Sequence, residues 1–483
     1  MKINLLVDHV TRELNIYSYM AHLAKLSFEE KKASIKIEHQ DFSVRENRYD
    51  FFERTKGNVD ITLTPSYNVR RTPAILSRAI RTKSHLVVNH SEQIFSNEFY
   101  KEKLNTTKHK AYNRHIFAHL VWGKDFAEKL GKHSKVKPEN IFITGNPKLG
   151  LVKRLQSNES LSNNNNRTKV LIVSDFRLGD FNDQDWMDFQ KKYKVKFRYQ
   201  ANKVYQKARQ NCVHWTKKAA MKFPDIDFLV RKHPGEPSVP YQELQNIPNV
   251  YITGESEFSK DLLTSSVVFS FTSTSIFEVI LSEIPYYNLD LIERPEDMEQ
   301  IHYKLFNWIN ETEFNTILKS LSEDKQLYKN NIDYENLSNI MYKPYGNSLL
   351  RSAIALIEIA KNGQTNNLRY NFSDKIIGNF YSVIPFIKNS LIKMGYFTKE
   401  KLKLDNPVSN FAANRWDEYK NSDEFISEKK LIESKEWIKN LLSEEEIQVI
   451  KAGNYSLRQE QEGIYIDLPE EVDEMYRTKV QKV

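Results

Sequence analysis

The sequence predicts two α/β domains with largely parallel sheets, followed by a helical region near the carboxyl terminus. Short apolar runs rich in β-branched and aromatic residues alternate with helix-like stretches over about the first 360 residues. A polar, Ser/Asn-rich stretch at residues 156–168 divides this series in two. The length of 483 residues also exceeds what one hydrophobic core ordinarily organises.

The first domain is expected over residues 1–155. Its amino-terminal apolar run is too short for a signal peptide and is interpreted as the first strand. A helix is expected from about Leu14 to Leu26. The expected strands are Ile3–Val7, Val59–Leu63, His85–Val88, His115–Val121 and Ile141–Thr144.

The second domain is expected over residues 169–362, after a linker at 156–168. An apolar stretch at helical spacing, Ser348–Ala360, is expected to close it. Two α/β units joined by a linker predict a cleft between them, which is a common place for a ligand. The expected strands are Val170–Val173, Phe228–Val230, Val250–Ile252, Val267–Phe271 and Tyr286–Leu289.

Residues 363–483 are expected to form a mainly helical appendage. Its segment Gly378–Leu404 mixes aromatic and aliphatic residues with lysines. This composition fits a helix on an anionic membrane surface, and it equally fits a solvated helical face packed on the main body. Both interpretations stay open, and association of the appendage with a membrane or with a partner stays open with them.

Composition limits the classes of partner and compartment. A net charge of +8 favours an anionic partner: a nucleotide, a phosphorylated lipid, a membrane surface or nucleic acid. The single cysteine, Cys212, excludes an internal disulfide and any cysteine-rich metal site. No run of eighteen apolar residues occurs. A cytoplasmic protein is expected, with peripheral attachment to the inner face of the membrane left open.

Two strand-like runs end in residue types that bind anions and sugars. Phe228–Val230 leads into Arg231, Lys232 and His233, and Val267–Phe271 leads into a cluster of hydroxyl residues. Ligands of open α/β sheets lie outside the carboxyl ends of the strands. His233 is therefore a candidate donor to a phosphate, and the basic pair would raise the local potential. The alternative is a surface histidine.

The hydroxyl cluster consists of Ser273, Thr274 and Ser275, just before a predicted helix. A helix amino terminus offers unpaired N–H groups and the positive end of its dipole, which suits a phosphate. Glu278 would lie one turn into the helix and accept hydrogen bonds from ribose. Ser275 and Glu278 also fit a capping box, which needs no ligand.

Carboxylates follow two other strands. Asp175, with Arg177 close behind, is a candidate nucleophile or base on an anomeric carbon, or else a turn or cap aspartate. Glu92 is a candidate general acid or base facing an acceptor, or else a glutamate that complements a helix dipole. Arg12 lies in a polar stretch after the first strand and could line the same cleft.

Several motifs are missing. The sequence has no Walker-type loop, no GxGxxG, no HExxH and no paired CxxC, and Asp225 and Asp227 precede their strand instead of following it. Only 14 glycines occur, which disfavours a glycine-rich phosphate loop. No metal and no cofactor are therefore expected.

Taken in order, the short motifs resemble bacterial surface-carbohydrate glycosyltransferases of the GT-B fold, in particular retaining β-Kdo transferases that use CMP-Kdo. The resemblance covers about residues 1–360 and implies two Rossmann-like domains facing a cleft, with the acceptor on the first and the donor on the second. The motifs are Thr11-Arg-Glu-Leu, His90-Ser-Glu92-Gln, Val121-Trp-Gly, Ile143-Thr-Gly-Asn-Pro147, Val173-Ser-Asp175, Lys232-His-Pro234 and Ser273-Thr-Ser-x-x-Glu278.

The resemblance implies roles for individual residues. His233, Ser273 and Ser275 would contact the CMP portion, Asp175 would form the glycosyl-enzyme adduct, and Glu92 would serve acid/base chemistry. Asn146, within the Gly-Asn-Pro motif, is a further candidate substrate-binding residue.

Three functions stay open from the sequence. The first is a transferase that moves a sugar from a CMP- or UDP-linked donor to a glycan or glycolipid acceptor, for which sialyl and polyol-phosphate transferases are related possibilities. The second is a UDP-sugar 2-epimerase or hydrolase, because the Gly-Asn-Pro and His-Pro elements are similar to those enzymes. The third is a non-catalytic module that binds an anionic surface. No nucleic-acid partner is expected for the enzyme.

Overall fold

The structure is a computed structural model, and it describes most of the two sheets and their helices. The described residues are 1–7, 10–28, 33–39, 59–65, 75, 79–80, 82–91, 93, 116–157, 167–193, 200–233, 236–253, 258–271, 273, 275–282, 284–293, 308–325, 327, 334–365 and 426–476. The basic-aromatic segment expected to lie on a membrane or on the main body, 378–404, is outside these residues.

Strands and helices alternate along the chain, as predicted. The strands are β1 Lys2–Val7, β2 Ser34–His39, β3 Ile61–Thr64, β4 His85–Asn89, β5 Ile116–Val121, β6 Ile141–Ile143, β7 Lys169–Val173, β8 Asp227–Arg231, β9 Val250–Thr253, β10 Val267–Ser270, β11 Tyr286–Leu289, β12 Trp308–Ile309, β13 Ser456–Gln459 and β14 Ile464–Asp467. The helices are α1 Val10–Ser27, α2 Lys124–Ser134, α3 Pro147–Ser157, α4 Asp183–Tyr193, α5 Ala201–Lys222, α6 Phe258–Leu263, α7 Ile276–Ser282, α8 Glu311–Ser322, α9 Tyr334–Ile340, α10 Ser348–Thr365, α11 Glu428–Leu441, α12 Glu444–Ala452 and α13 Glu470–Asp473.

The first compact unit combines Met1–Gln93, Asn97–Leu151 and Ser338–Arg477. Its sheet has eight strands in the order β2-β1-β3-β4-β5-β6-β14-β13. All neighbouring pairs are parallel except β13 and β14, which form an antiparallel hairpin at one edge. Strands β3 and β4 are buried along their whole length, which is typical of a parallel sheet covered on both faces.

The second compact unit is built mainly from Val152–Leu337. Its six parallel strands follow the order β9-β8-β7-β10-β11-β12. Counted from the first strand of the unit, this is the doubly wound order 3-2-1-4-5-6. The predicted fold class is thus confirmed: two Rossmann-like α/β units and a largely helical carboxyl-terminal region.

The division of the chain differs from the predicted boundaries at one helix of the predicted second domain and in the carboxyl-terminal region. The stretch Ser348–Ala360 does form a helix, α10, but α10 belongs to the first unit and not to the second. It is apolar and buried on nearly all sides, packed with α1 and β1 in the larger core. Periodicity identifies such a helix but carries no information about which sheet it covers.

The carboxyl-terminal region also packs into the first unit. Ile438 of α11, Val449 of α12 and Ile466 of β14 are buried in the same core as α1 and α10. Strand β14 extends the first sheet beside β6. The described residues 426–476 are therefore an integral layer of this unit.

None of the helices in the described ranges combines the length and the apolar character needed to cross a lipid bilayer.

Candidate functional site

Three neighbouring strands of the second sheet end at the same level. Val173 of β7 is paired in register with Arg231 of β8 on one side and with Ser270 of β10 on the other. The chain order reverses between β7 and β10, and ligands of doubly wound sheets bind at such a switch point. Asp175 and His233 follow these strand ends by two residues each. The sheet therefore brings them to one edge, as the sequence predicted.

Glu236 connects the exits of β7 and β8. The residue is almost fully buried, with an exposed fraction of 3%. Its Oε2 accepts two hydrogen bonds, one from Ser174 Oγ at 2.8 Å and one from the Tyr241 hydroxyl. The other oxygen accepts a hydrogen bond from the Phe176 backbone N–H. A single side chain thus holds both strand exits together.

The backbone of His233 is fixed on both sides. Its N–H donates to Ser174 Oγ at 3.2 Å, and its carbonyl accepts from the Glu236 N–H at 2.9 Å. The Ser174 N–H donates to the Arg231 carbonyl at 3.0 Å and extends the β7–β8 ladder by one residue. His233 and Asp175 are both half-buried. Their loops are held in a defined relation to each other.

The predicted basic pair makes contacts within the protein. Arg231 donates to Asp261 Oδ2 at 2.6 Å, and Thr253 Oγ1 donates to the same oxygen at 2.9 Å. The Lys232 ammonium donates to the Glu236 carbonyl. Both residues therefore stabilise the site's own loops, and their binding of a ligand stays a prediction.

The hydroxyl cluster lies at the exit of β10. The Ser273 N–H donates to Ser270 Oγ at 3.3 Å, and Ser273 Oγ is 3.1 Å from Ser275 Oγ. Ser273 is buried and Ser275 is half-buried just before α7. The amide of Glu278 donates to the Ser275 carbonyl at 3.0 Å, which places Glu278 in the first turn as predicted. Thr274 lies outside the described residues.

Burial and the Glu236 carboxylate keep nearby acids protonated. The pKa of Tyr241 is raised by burial and then by the charge of Glu236, so its hydroxyl remains a donor. Burial, with a smaller contribution from Glu236, raises the pKa of Cys212 to about 12. Cys212 is therefore a neutral thiol inside the second core and not a nucleophile.

The first unit contains a comparable arrangement after β4. His90 is buried, and its Nε2 lies 3.0 Å from Nδ1 of His119 on β5. Gln93 donates from Nε2 to the His90 carbonyl at 2.8 Å, and its Oε1 accepts from the Trp122 N–H at 2.9 Å. Gln93 follows His90 by three residues, as Glu236 follows His233. In both units this third residue reaches the exit of the neighbouring strand.

The remaining predicted site residues lie only partly within the described residues. Glu92 is outside the described residues, and so are the side chains of Arg12, in α1, and of Arg177, in a 3₁₀ turn after β7. Asn146 is buried, and its Oδ1 accepts from the Lys148 N–H at 3.1 Å. That bond caps the start of α3, so the side-chain oxygen of Asn146 serves the helix.

Sequence reasoning did not select Ser174, Glu236, Gln93 or His119. The available signal was the repeated spacing His-x-x-Gln and His-x-x-Glu after two strands. The spacing alone does not reveal that both side chains turn toward a neighbouring strand exit. In the described part of the chain, no group of three or more His, Cys, Asp or Glu side chains has the arrangement of a metal site.

Comparisons with known proteins give structural likeness only. No family model matches the chain, and no curated protein does. A UDP-GlcNAc 2-epimerase from Neisseria meningitidis bound to UDP-GlcNAc is 15% identical, with a TM-score of 0.44 over 75% of this chain and 100% of that one. A UDP-GlcNAc 2-epimerase from Methanocaldococcus jannaschii is 13% identical, with a TM-score of 0.42 over 74% of this chain and 100% of that one.

A third solved structure, of a variant of the wall teichoic acid polymerase TagF, is 11% identical. Its TM-score is 0.40, over 81% of this chain and 90% of the polymerase chain. The activities in these names are those of the neighbours.

Proposed function

We propose that this chain is a nucleotide-sugar-dependent glycosyltransferase that binds its donor at the carboxyl edge of the second sheet. The observation that carries the proposal is the alignment of Val173, Arg231 and Ser270 at the switch point between β7 and β10. Asp175, His233 and the hydroxyl cluster follow these three ends, so a carboxylate, an imidazole and two serines gather at one edge. This combination suits a sugar joined to a phosphate.

The proposed donor is CMP-Kdo, as the motif resemblance implies, and the acceptor is a surface polysaccharide or a lipid-linked glycan. His233 and the serines Ser273 and Ser275 would bind the nucleotide phosphate. They would stabilise the charge that develops on CMP as it leaves.

Transfer with retention takes two displacements. Asp175 attacks the anomeric carbon, the bond from that carbon to the phosphate oxygen breaks, and CMP leaves with the electron pair. An acceptor hydroxyl then displaces Asp175 and gives its proton to a general base, the role that the motif resemblance implies for Glu92. The sugar ends on the acceptor oxygen, and the Asp175 carboxylate is restored.

A thermal-shift titration tests nucleotide binding, because a ligand of the folded state raises the apparent melting temperature. CMP, CDP, UDP and GDP and their sugar conjugates would be compared with and without magnesium. Stabilisation by CMP supports a Kdo-type donor, and stabilisation by UDP redirects the donor to a UDP-sugar. No shift with any nucleotide would contradict the proposal.

An activity assay separates transfer from epimerisation. The sugar conjugate that binds would be incubated with and without a glycan acceptor, and the released nucleotide would be measured. Acceptor-dependent release supports a transferase, whereas formation of an isomeric nucleotide sugar without acceptor supports the epimerase alternative. His233→Ala should weaken nucleotide binding, and Asp175→Ala should keep binding and lose turnover.

A further inference from the structure

The buried carboxylate of Glu236 touches both strand exits that carry the candidate catalytic residues. We infer that Glu236 is the positioning residue of the site, and that it sets the relation between Asp175 and His233 without contacting the substrate. The inference rests on the proposed function for its catalytic meaning. That Glu236 holds the two loops together depends only on the hydrogen bonds within them.

Asp175 is held from both of its neighbours. Ser174 precedes it and donates from Oγ to Glu236, and Phe176 follows it and donates from its backbone N–H to the other oxygen of the same carboxylate. The peptide that carries Asp175 is therefore fixed at two points. A loss of either bond would let this turn relax away from the end of β7.

His233 is connected to the same carboxylate through Ser174. The Ser174 hydroxyl donates to Glu236 at 2.8 Å and accepts from the His233 N–H at 3.2 Å, so its proton and one lone pair are both used. The Glu236 N–H closes the turn on the His233 carbonyl at 2.9 Å. A carboxylate that loses its hold on Ser174 would therefore disturb His233 as well.

The three donors suit a side chain that offers two acceptor oxygens at this position. Ser174, Phe176 and Tyr241 all present N–H or O–H groups, and a carboxylate accepts without donating. A glutamine has the same shape but would present an N–H to one of these donors. The Phe176 amide cannot reverse its role, whereas the two hydroxyls can.

Glu236 acts through other residues, because the residue is 3% exposed and its carboxylate accepts hydrogen bonds from protein groups. Lys232 reinforces the same loop, since its ammonium donates to the Glu236 carbonyl. Glu236 differs in its burial from His233, which is half-buried and lies nearer to solvent. A substrate would therefore meet His233 and not the carboxylate.

The geometric part is tested by amide hydrogen exchange on Glu236→Gln. Exchange at Phe176 and His233 should accelerate by about tenfold, the equivalent of one weakened hydrogen bond to a charged group. Rates in the first unit and in α5 should stay unchanged. The matched control is Glu243→Gln, which alters an exposed carboxylate on the adjacent 3₁₀ turn that pairs with Lys217. Unchanged exchange at Phe176 and His233 in Glu236→Gln would overturn the inference.

The catalytic part is tested by a double-mutant cycle with His233→Ala, with binding of CMP and of UDP as the readout. Glu236→Gln alone should weaken binding of whichever nucleotide stabilises the unsubstituted protein. The double variant should bind no more weakly than His233→Ala, because both changes act on one group. Additive losses would mean a structural effect independent of His233 and would overturn the positioning role.

Failure of the proposed function gives a different result. If neither CMP nor UDP binds the unsubstituted protein, the donor assignment is wrong, and the exchange rates still decide whether Glu236 holds the two loops. If Glu236→Gln lowers the melting temperature sharply, Tyr241→Phe provides a second variant, which removes one donor and leaves the bonds to Ser174 and Phe176 in place. Its exchange at Phe176 should match the unsubstituted protein, and faster exchange there would contradict the inference.

Discussion

Arg351 and Asp473 form a buried ion pair between residues 122 positions apart in the chain. Arg351 is fully buried at the start of α10, and Asp473 is 3% exposed at the end of α13. Arg351 also donates from Nε to the Thr144 carbonyl at 3.0 Å, and Asp473 accepts from Lys343 at 2.8 Å. The pair thus joins the carboxyl-terminal region to the loop after β6.

Asp473→Ala should destabilise the first unit by about 3–5 kcal/mol, because it leaves the Arg351 charge buried without its partner. Chemical denaturation followed by circular dichroism would measure the loss. Glu471→Ala, an exposed carboxylate in the same short helix, is the control and should change the free energy of unfolding by less than about 0.5 kcal/mol. Equal effects of the two substitutions would show that Asp473 is not specially coupled to Arg351.

Asp467 should contribute to the loss of folding stability at acid pH. Burial alone would raise its pKa, but hydrogen bonds from Arg458 at 2.9 Å and from the Tyr342 hydroxyl at 2.5 Å leave the pKa lowered overall. A carboxyl whose pKa is lowered in the folded state adds stability above its unfolded pKa, about 4, and loses it as pH falls through the folded value.

Asp467→Asn removes this titration, so its unfolding free energy should fall less steeply than that of the unsubstituted protein below about pH 4. Above about pH 5 the variant should be the less stable of the two. Denaturant titrations at a series of pH values would measure both slopes. Unfolding free energies that change with pH in parallel in the two proteins would contradict a lowered pKa at Asp467.

Gly145 should tolerate no side chain. Its φ is +81°, and a Cβ there would lie 2.8 Å from Ser348 Cβ and 2.9 Å from the Tyr342 carbonyl oxygen. Gly453, at the end of α12, also has a positive φ, +66°, but has open space around the same position. Gly453→Ala should therefore cost only the left-handed backbone penalty, about 1–2 kcal/mol.

Gly145→Ala should cost clearly more than Gly453→Ala, because it adds a steric clash with α10 to the same backbone penalty. Thermal unfolding of the two variants side by side would measure the difference. Similar melting temperatures would mean that the contact with Ser348 relaxes without cost.

Cys212 should resist thiol reagents in the folded protein. Its side chain is buried in the second core, and burial raises its pKa to about 12, so almost no thiolate exists at about pH 8. A disulfide reagent should react slowly in buffer and completely in denaturant. Rapid labelling of one thiol in buffer would contradict the burial of Cys212.

The second sheet was predictable because its strands carry local signals. Val170–Val173, Phe228–Val230 and Val267–Phe271 are dense apolar runs that stop at polar residues, and each is a strand ending where the sequence predicts a site. The edge strands β2 and β12 were not predicted. In β2 apolar residues alternate with charged ones, and β12 has only two residues. Neither strand therefore stands out as an apolar run.

The partners of α10 and of the carboxyl-terminal region were not predictable from periodicity. The pair Tyr19 and Glu446, joined at 3.0 Å across 427 positions, shows why. Side chains so far apart in sequence leave no local pattern, and the choice of sheet depends on which apolar surface remains uncovered. The contacts of Glu236 were not predictable for the same reason, because its partner Ser174 lies 62 positions earlier in the chain.

The placement of β14 beside β6 has a consequence for synthesis of the protein. The second unit needs residues only up to Leu337 for nearly all of its fold, whereas the first unit lacks a sheet strand and part of its core until residues 464–473 have left the ribosome. Nascent domains commonly fold in order from the amino terminus. Here the sheet of the first unit cannot be completed before its carboxyl-terminal strands are synthesised. The second unit would therefore fold first on the ribosome.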